Sequence, residues 1–316
     1  MQRNILVTGG AGFIGASIVK KLIENGYSIK IVDNLQRGNL TRLTDLKGKY
    51  TFVNADIRDE RKIVKAAEDC DTIIHLAYVN GTKFFYSNPD LVLEIAVEGM
   101  LSVIAACKLP CVKSLFLASS SEVYQDPDVI PTPENVPLVV PDPYNPRYSY
   151  GGGKIICELL AIHNASKHLK KTVIFRPHNV YGPDMGTEHA VPEIITRMAK
   201  IKAPKSVCQI QGSGKETRPY MYIDDFSDAF MKLYEKGKNL TTYNIGNEDE
   251  INSLDLTKKI AKVLNKSIVI KGSRLRSGST SKRCPDTRKL RRLGYKQKIN
   301  LDLGLRKTAD WYIKTP

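Results

Sequence analysis

Residues 5–15 read Ile-Leu-Val-Thr-Gly-Gly-Ala-Gly-Phe-Ile-Gly, and no other stretch limits the fold as tightly. A short apolar strand runs into a glycine-rich turn. A helix with apolar residues at Ile14, Ile18, Val19, Leu22 and Ile23 follows at once. Glycines let the backbone turn tightly and approach a pyrophosphate, while the first turn of the helix offers free N–H groups and the positive end of its dipole. A second strand, predicted over 28–32, ends at Asp33, where a carboxylate would grip a ribose 2′-hydroxyl. The sequence therefore opens on a dinucleotide site. Asp33 favours NAD, because its charge would repel the 2′-phosphate of NADP. Arg37, four residues on, could host that phosphate, so the residues alone leave both cofactors open.

The next half of the chain repeats the pattern. Strands are predicted at 4–8, 28–32, 50–54, 72–75, 114–118 and 172–175, with helices at 13–25, 59–68, 90–108 and 148–167. Short apolar strands joined by such helices pair in parallel through right-handed crossovers. The expected fold class is α/β, a doubly wound parallel sheet of Rossmann type with a smaller C-terminal α/β substrate lobe. After residue 175 the rhythm loosens, with helices at 192–200, 224–236, 253–264 and 301–313, which divides the chain into 1–175 and 176–316. The proline-rich residues 124–147 read as a surface loop near the active site.

A chain of 316 residues can bury one large core or two smaller ones. No apolar run reaches the roughly 20 residues that span a bilayer, so no membrane role is expected. The first strand begins by Asn4, and no signal peptide is expected. Six cysteines show no CxxC pair and read as thiols of a reducing cytoplasm. Five histidines form no HxxxH or HExxH array, and no metal site is expected. The net charge of +15 is uneven: residues 265–300 hold twelve Lys or Arg against one acid, Asp286. Tyr295 is the lone aromatic there, which argues against a nucleic-acid stacking platform and for an acidic small substrate such as a sugar diphosphate.

Tyr150 and Lys154 stand four apart at the head of a helical pattern and share one face. An ammonium beside a phenol is expected to lower the tyrosine pKa from near 10, so that it can take a proton from an alcohol. The strand over 114–118 ends in Ser119-Ser120-Ser121-Glu122, where a hydroxyl could hold the same alcohol. Glycines 151, 152 and 153 each cost a helix interior about 1 kcal/mol relative to alanine, so something is expected to approach closely there.

With these residues in place the chain resembles the extended short-chain dehydrogenase/reductase family, and within it the NAD-dependent nucleotide-sugar epimerases and dehydratases. The resemblance spans the whole length. It rests on TGGAGFIG at 8–15, DN at 33–34, DI at 56–57, HLA at 75–77, SSSEVY at 119–124 and YGGGK at 150–154. RPHNVYGP at 176–183, TRPYMYIDD at 217–225 and RCPD at 283–286 continue it. It implies that Gly9, Gly12, Phe13, Ile14 and Gly15 cradle the NAD pyrophosphate. Asp33 and Asn34 would bind the adenosine ribose, Asp56 and Ile57 would flank adenine, and Leu76 and Ala77 would line the cofactor path. It further implies Ser120, Tyr150 and Lys154 as the catalytic set and Asn179, Arg218 and Arg283 as substrate ligands. Residues 1–175 become the NAD-binding domain and 176–316 the nucleotide-sugar lobe.

The sequence departs from the family pattern at Tyr78, Gln125, Gly153 and Pro219. The shared first step is oxidation at sugar C4. Epimerisation through the 4-keto hexose is the expected outcome. Glu122 keeps open 4,6-dehydration or decarboxylation, and a non-catalytic dinucleotide-binding module is the remote alternative. A homodimer through helices 90–108 and 148–167 is expected from the same resemblance.

Overall fold

The computed structural model describes residues 3–274 and 278–315. The first half runs β1 (Asn4–Thr8), α1 (Phe13–Glu24), β2 (Ser28–Asp33), a 3-10 turn (Leu40–Leu46), β3 (Tyr50–Asn54) and α2 (Glu60–Ala67). It continues through β4 (Thr72–His75), α3 (Thr82–Ser87), α4 (Pro89–Cys107), β5 (Ser114–Ala118), α5 (Tyr148–His163) and β6 (Lys171–Pro177). The second half contains β7 (Val180–Tyr181), α6 (Ala190–Ala199), β8 (Ser206–Ile210), β9 (Thr217–Pro219), β10 (Met221–Tyr222) and α7 (Ile223–Lys236). It closes with β11 (Thr241–Ile245), β12 (Glu250–Asn252), α8 (Ser253–Val263), β13 (Ile268–Gly272), α9 (Arg288–Arg292) and α10 (Leu301–Lys314).

Seven strands form one parallel sheet in the order β11-β6-β5-β4-β1-β2-β3. This is the doubly wound α/β sheet expected from the sequence. Alternation along β1 explains the layers. Ile5 and Val7 point into a core shared with α1 and α7, while Leu6 points into one shared with α2, α4 and α5. The strand order reverses at β1, whose neighbours are β2 and β4, and a crevice opens there at the carboxyl ends.

The sheet takes its seventh strand, β11, from beyond residue 176, and α7 packs with α1 on the same face. The core on that face continues into α6, α8 and α10 through Ile194, Leu256 and Leu305. Residues 124–147 are not wholly superficial. Tyr124, Thr132 and Glu134 are buried, because this segment is stitched to 284–286 by Thr132 N–H to Cys284 O and Asp286 N–H to Thr132 O. In the basic segment, where 275–277 lie outside the described residues, Lys282, Arg283, Arg288, Lys289, Arg291 and Lys298 each meet a carboxylate. Much of the local charge is thereby neutralised within the fold.

Candidate active site

A cavity of about 390 Å³ lies at the carboxyl ends of β1 to β6. Its walls bring together Gly9, Gly12, Phe13, Ile14, Gly15, Asp33, Asn34, Asp56, Ile57, Leu76 and Ala77 at one end. Ser120, Glu122, Tyr150, Lys154, Asn179 and Arg283 line the rest. Of the residues expected to bind cofactor or substrate or to act in catalysis, Arg218 alone is not in the wall.

The first end fits a dinucleotide. Helix α1 starts at Phe13 with Gly12 as its N-cap and no side chain capping the first turn, so its amides are left to an anion. A Cβ on Gly15 would collide with the Gly9 carbonyl, which keeps turn and helix pressed together. Asp33 is held by N–H donors from Ala11 at 3.0 Å and Leu35 at 2.9 Å. Burial pushes its carboxyl up, with those two amides opposing, as suits an acceptor awaiting hydroxyl donors. Asn34 donates to Asp56, whose carboxylate Arg58 grips at 2.9 and 3.0 Å. Arg37, the possible phosphate ligand, pairs instead with Glu188 at 3.4 Å and lies over the Phe84 ring. Arg42, which the sequence reading passed over, ties this end together by donating to Ala11 O and to Asp184.

At the other end the Ser120 hydroxyl lies within hydrogen-bond reach of the Tyr150 phenol and caps the Ser121–Val123 turn. Tyr150 stacks on Phe85, with ring centres 4.7 Å apart, and meets the edge of Tyr78 at 5.1 Å. Its phenol is not lowered as expected. Burial pushes it above the usual value, and the Ser120 hydrogen bond offsets only part. Lys154 does not counter this, because its ammonium donates to the Ala118 carbonyl at 2.7 Å and lies 6.0 Å from the Tyr150 ring centre. Burial also lowers Lys154, to about 8. Helix α5 thus delivers both groups to one place, where the low dielectric penalises charge on either.

Glu122 is clamped. Arg283 Nη1 donates to it at 2.6 Å and Arg147 Nη2 at 3.5 Å. Burial pushes its carboxyl up, but Arg283 and Arg147 outweigh burial and draw it down to about 2. Arg283 is 3% exposed, and its Nε and Nη2 are buried without a partner among the described residues. Arg283 lines the cavity, so these donors are available to a phosphate or carboxylate bound there. Asn179, at φ +40°, donates to Pro219 O at 3.0 Å. Arg218 is tied to the Thr217, Thr280 and Ser281 carbonyls, although its charge still reaches Glu122.

Two of the three glycines of α5 now have an explanation in the chain itself. A Cβ on Gly151 would come 2.7 Å from Gln125 Nε2, and one on Gly153 would collide with the Tyr78 hydroxyl. Gly152 meets only Val140, at an ordinary 3.5 Å. Two of the departures from the family pattern, Tyr78 and Gln125, therefore sit in notches that glycines leave. Gln125 is held at φ +53°, a conformation that favours glycine, and its Nε2 donates to Glu122 O at 2.5 Å. Phe85 and Arg147 gave no signal in the sequence, since neither belongs to a periodic pattern and both reach the site through space.

Among the described residues no group of three or more His, Cys, Asp or Glu is placed to hold a metal, and no helix is long and apolar enough to cross a membrane.

The crevice, the glycine turn and the Ser-Tyr-Lys set define a dinucleotide-dependent enzyme of the Rossmann class. The chain belongs to the NAD dependent epimerase/dehydratase family, whose profile matches residues 5–246, and its cofactor is NAD. It is 32% identical over 314 residues to a putative UDP-glucose 4-epimerase of Methanocaldococcus jannaschii, covering 97% of each chain. It is 31% identical to UDP-glucuronic acid decarboxylase 5 of Arabidopsis thaliana, over 95% of this chain and 86% of that one. The crystal structure of a UDP-glucose 4-epimerase from Thermotoga maritima, solved with UDP-glucose, superposes with a TM-score of 0.87 at 30% identity over 99% of both chains.

Proposed function

We propose that this enzyme epimerises a nucleotide-diphosphate sugar at C4 through a 4-keto hexose. The observation that carries the choice is the state of Glu122. Dehydration needs a carboxyl group free to exchange protons after the ketone forms. Glu122 is clamped by Arg283 at 2.6 Å and Arg147 at 3.5 Å, which draw its carboxyl down to about 2 and make it a poor proton acceptor. Epimerisation needs no such group.

NAD, when bound, supplies the hydride acceptor and donor at C4. The protein's own residues do the rest. Tyr150 takes and returns the C4 hydroxyl proton, Ser120 holds the same hydroxyl in line, and the Lys154 ammonium stabilises the phenolate. Burial that disfavours phenolate in the free enzyme strengthens the ammonium–phenolate attraction once water is excluded. Asn179 and Arg283, both beyond residue 176, are assigned to the nucleotide diphosphate, with the unpartnered Nε and Nη2 of Arg283 as its main seat, while Arg218, tied to backbone carbonyls outside the cavity wall, contributes its charge alone. Resemblance to two UDP-glucose 4-epimerases puts UDP-hexoses first among substrates.

A second reading is favoured by the same arginine. Its free donors would equally hold a hexuronate carboxylate, and a relative at 31% identity is a UDP-glucuronic acid decarboxylase. Incubation with a panel of nucleotide sugars, followed by mass spectrometry and sugar analysis, separates the two. Unchanged mass with inverted C4 is expected. Loss of carbon dioxide from a uronic acid, or of water from a hexose, would overturn the epimerase reading.

A homodimer is inferred from α4 and α5. They pack on each other, yet leave Leu93, Leu101, Ile156 and Leu159 exposed, an apolar face that two copies would cover. Cytoplasmic placement is inferred from six thiols, none of them in a disulfide.

A further inference from the structure

We propose that Tyr78 is a positioning residue for Lys154: its ring face seats the ammonium, and Gly153 is the notch that admits its hydroxyl. The inference rests on the reading of Lys154 as partner of the Tyr150 phenol. Lys154 Nζ lies 4.0 Å above the centre of the Tyr78 ring, against 6.0 Å for Tyr150. Apart from the ring, its hydrogen-bond partner is the Ala118 carbonyl. A desolvated ammonium with one carbonyl acceptor is under-satisfied, and an aromatic face is the group that attracts a cation without adding a titratable charge.

The hydroxyl of Tyr78 is buried and makes no hydrogen bond among the described residues. It occupies the space that a side chain at 153 would fill, with Ala96 Cβ at 2.9 Å from the same point. The ring, and not the hydroxyl, is what the site uses. Glycine at 153, a weak helix former, is the local cost of placing that ring.

The other groups around Lys154 do not provide this. His75 from β4 is neutral, lowered to about 3 by burial and by the lysine itself. On α5, Cys157 is held as a thiol by burial, and Glu158 is engaged by Arg176 of β6 at 2.6 Å. Tyr150 is held neutral by burial. Ala118 and Ser119 of β5 and its end bring no charge. Burial draws Lys154 to about 8, so a modest change in its seat moves its charge across the working range.

The test follows the ammonium directly. Lysine-labelled protein is titrated by carbon-13 NMR, with the Lys154 signal assigned by its loss in Lys154→Met. Tyr78→Leu keeps bulk without a ring, and the Lys154 midpoint is expected to fall by about one pH unit, a tenfold change in the protonation constant. Tyr78→Phe keeps the ring and is expected to leave the midpoint in place. An unchanged midpoint in folded Tyr78→Leu overturns the proposal. If Tyr78→Leu does not fold, Tyr78→Met carries the same comparison. A second arm tests the notch. Gly153→Ala is expected to lower Tm more beside Tyr78 than in a Tyr78→Ala background, where the Ala96 Cβ contact at 2.9 Å remains, and additive effects would overturn that part. The titration needs no substrate, so it stands even if no sugar turns over. Conversely, an active epimerase whose Lys154 midpoint ignores residue 78 sinks this inference alone.

Discussion

Glu122 is the side chain on which the proposed choice between reactions that share a first step turns. Its position after β5 is readable from the sequence, but its protonation is not, because that depends on Arg147 and Arg283, 25 and 161 residues away. With a folded-state value near 2 against an ordinary 4.5, its contribution to stability is complete above about pH 4.5 and is lost as pH falls toward 2. Two consequences can be measured. Thermal melts should show a loss between those limits that Glu122→Gln lacks. The acid limb of the pH–rate profile should keep its shape in Glu122→Gln. An acid limb that vanished in the variant would make Glu122 a working base and bring dehydration back.

Helix α5 carries Tyr150 and Lys154, and what anchors it is a buried network centred on Arg176. Arg176 of β6 grips Glu158 at 2.8 and 2.6 Å and donates to the Tyr124 hydroxyl and to Glu134 O at 3.1 Å. Tyr124 donates in turn to Asn244 of β11 at 2.8 Å. Glu158→Leu, which leaves the guanidinium buried and unpaired, is expected to cost about 3–5 kcal/mol in chemical denaturation, and Arg176→Met added to it should recover much of that. Single and double variants of equal stability would show that the pair does not anchor the helix. Among the described residues, the eight longer helices and the first six strands were legible because each carries its own periodicity and punctuation, whereas short α3 and α9 were not. Strand β11 was not, since Thr241–Ile245 alternates polar and apolar residues weakly and becomes a sheet strand only by pairing with β6. Short α3, which brings Phe85 to Tyr150, has no apolar repeat to announce it. The three glycines were legible as a sign of close approach. That the approaching atoms belong to Tyr78 and Gln125 required the fold.

At the scale of the whole molecule, the second half is less a separate lobe than a continuation of one core face. Its β11 and α7 complete the sheet layers while Asn179 and Arg283 reach back into the cavity. The apolar face of α4 and α5 gives the assembly prediction. Leu101→Glu with Leu159→Glu, at 44% and 51% exposed positions, is expected to convert a dimer to a monomer in sedimentation or light scattering. A wild-type monomer would remove the dimer from the account. The central claim is that Tyr150 moves the proton of a sugar hydroxyl at the mouth of this sheet. It is tested most directly by comparing wild type and Tyr150→Phe on the nucleotide sugar that the panel identifies, following C4 inversion by proton NMR. The variant should fold and bind yet lose about 10²- to 10⁴-fold in kcat, the range for removal of a general acid–base group. Turnover at the wild-type rate in Tyr150→Phe would contradict the claim.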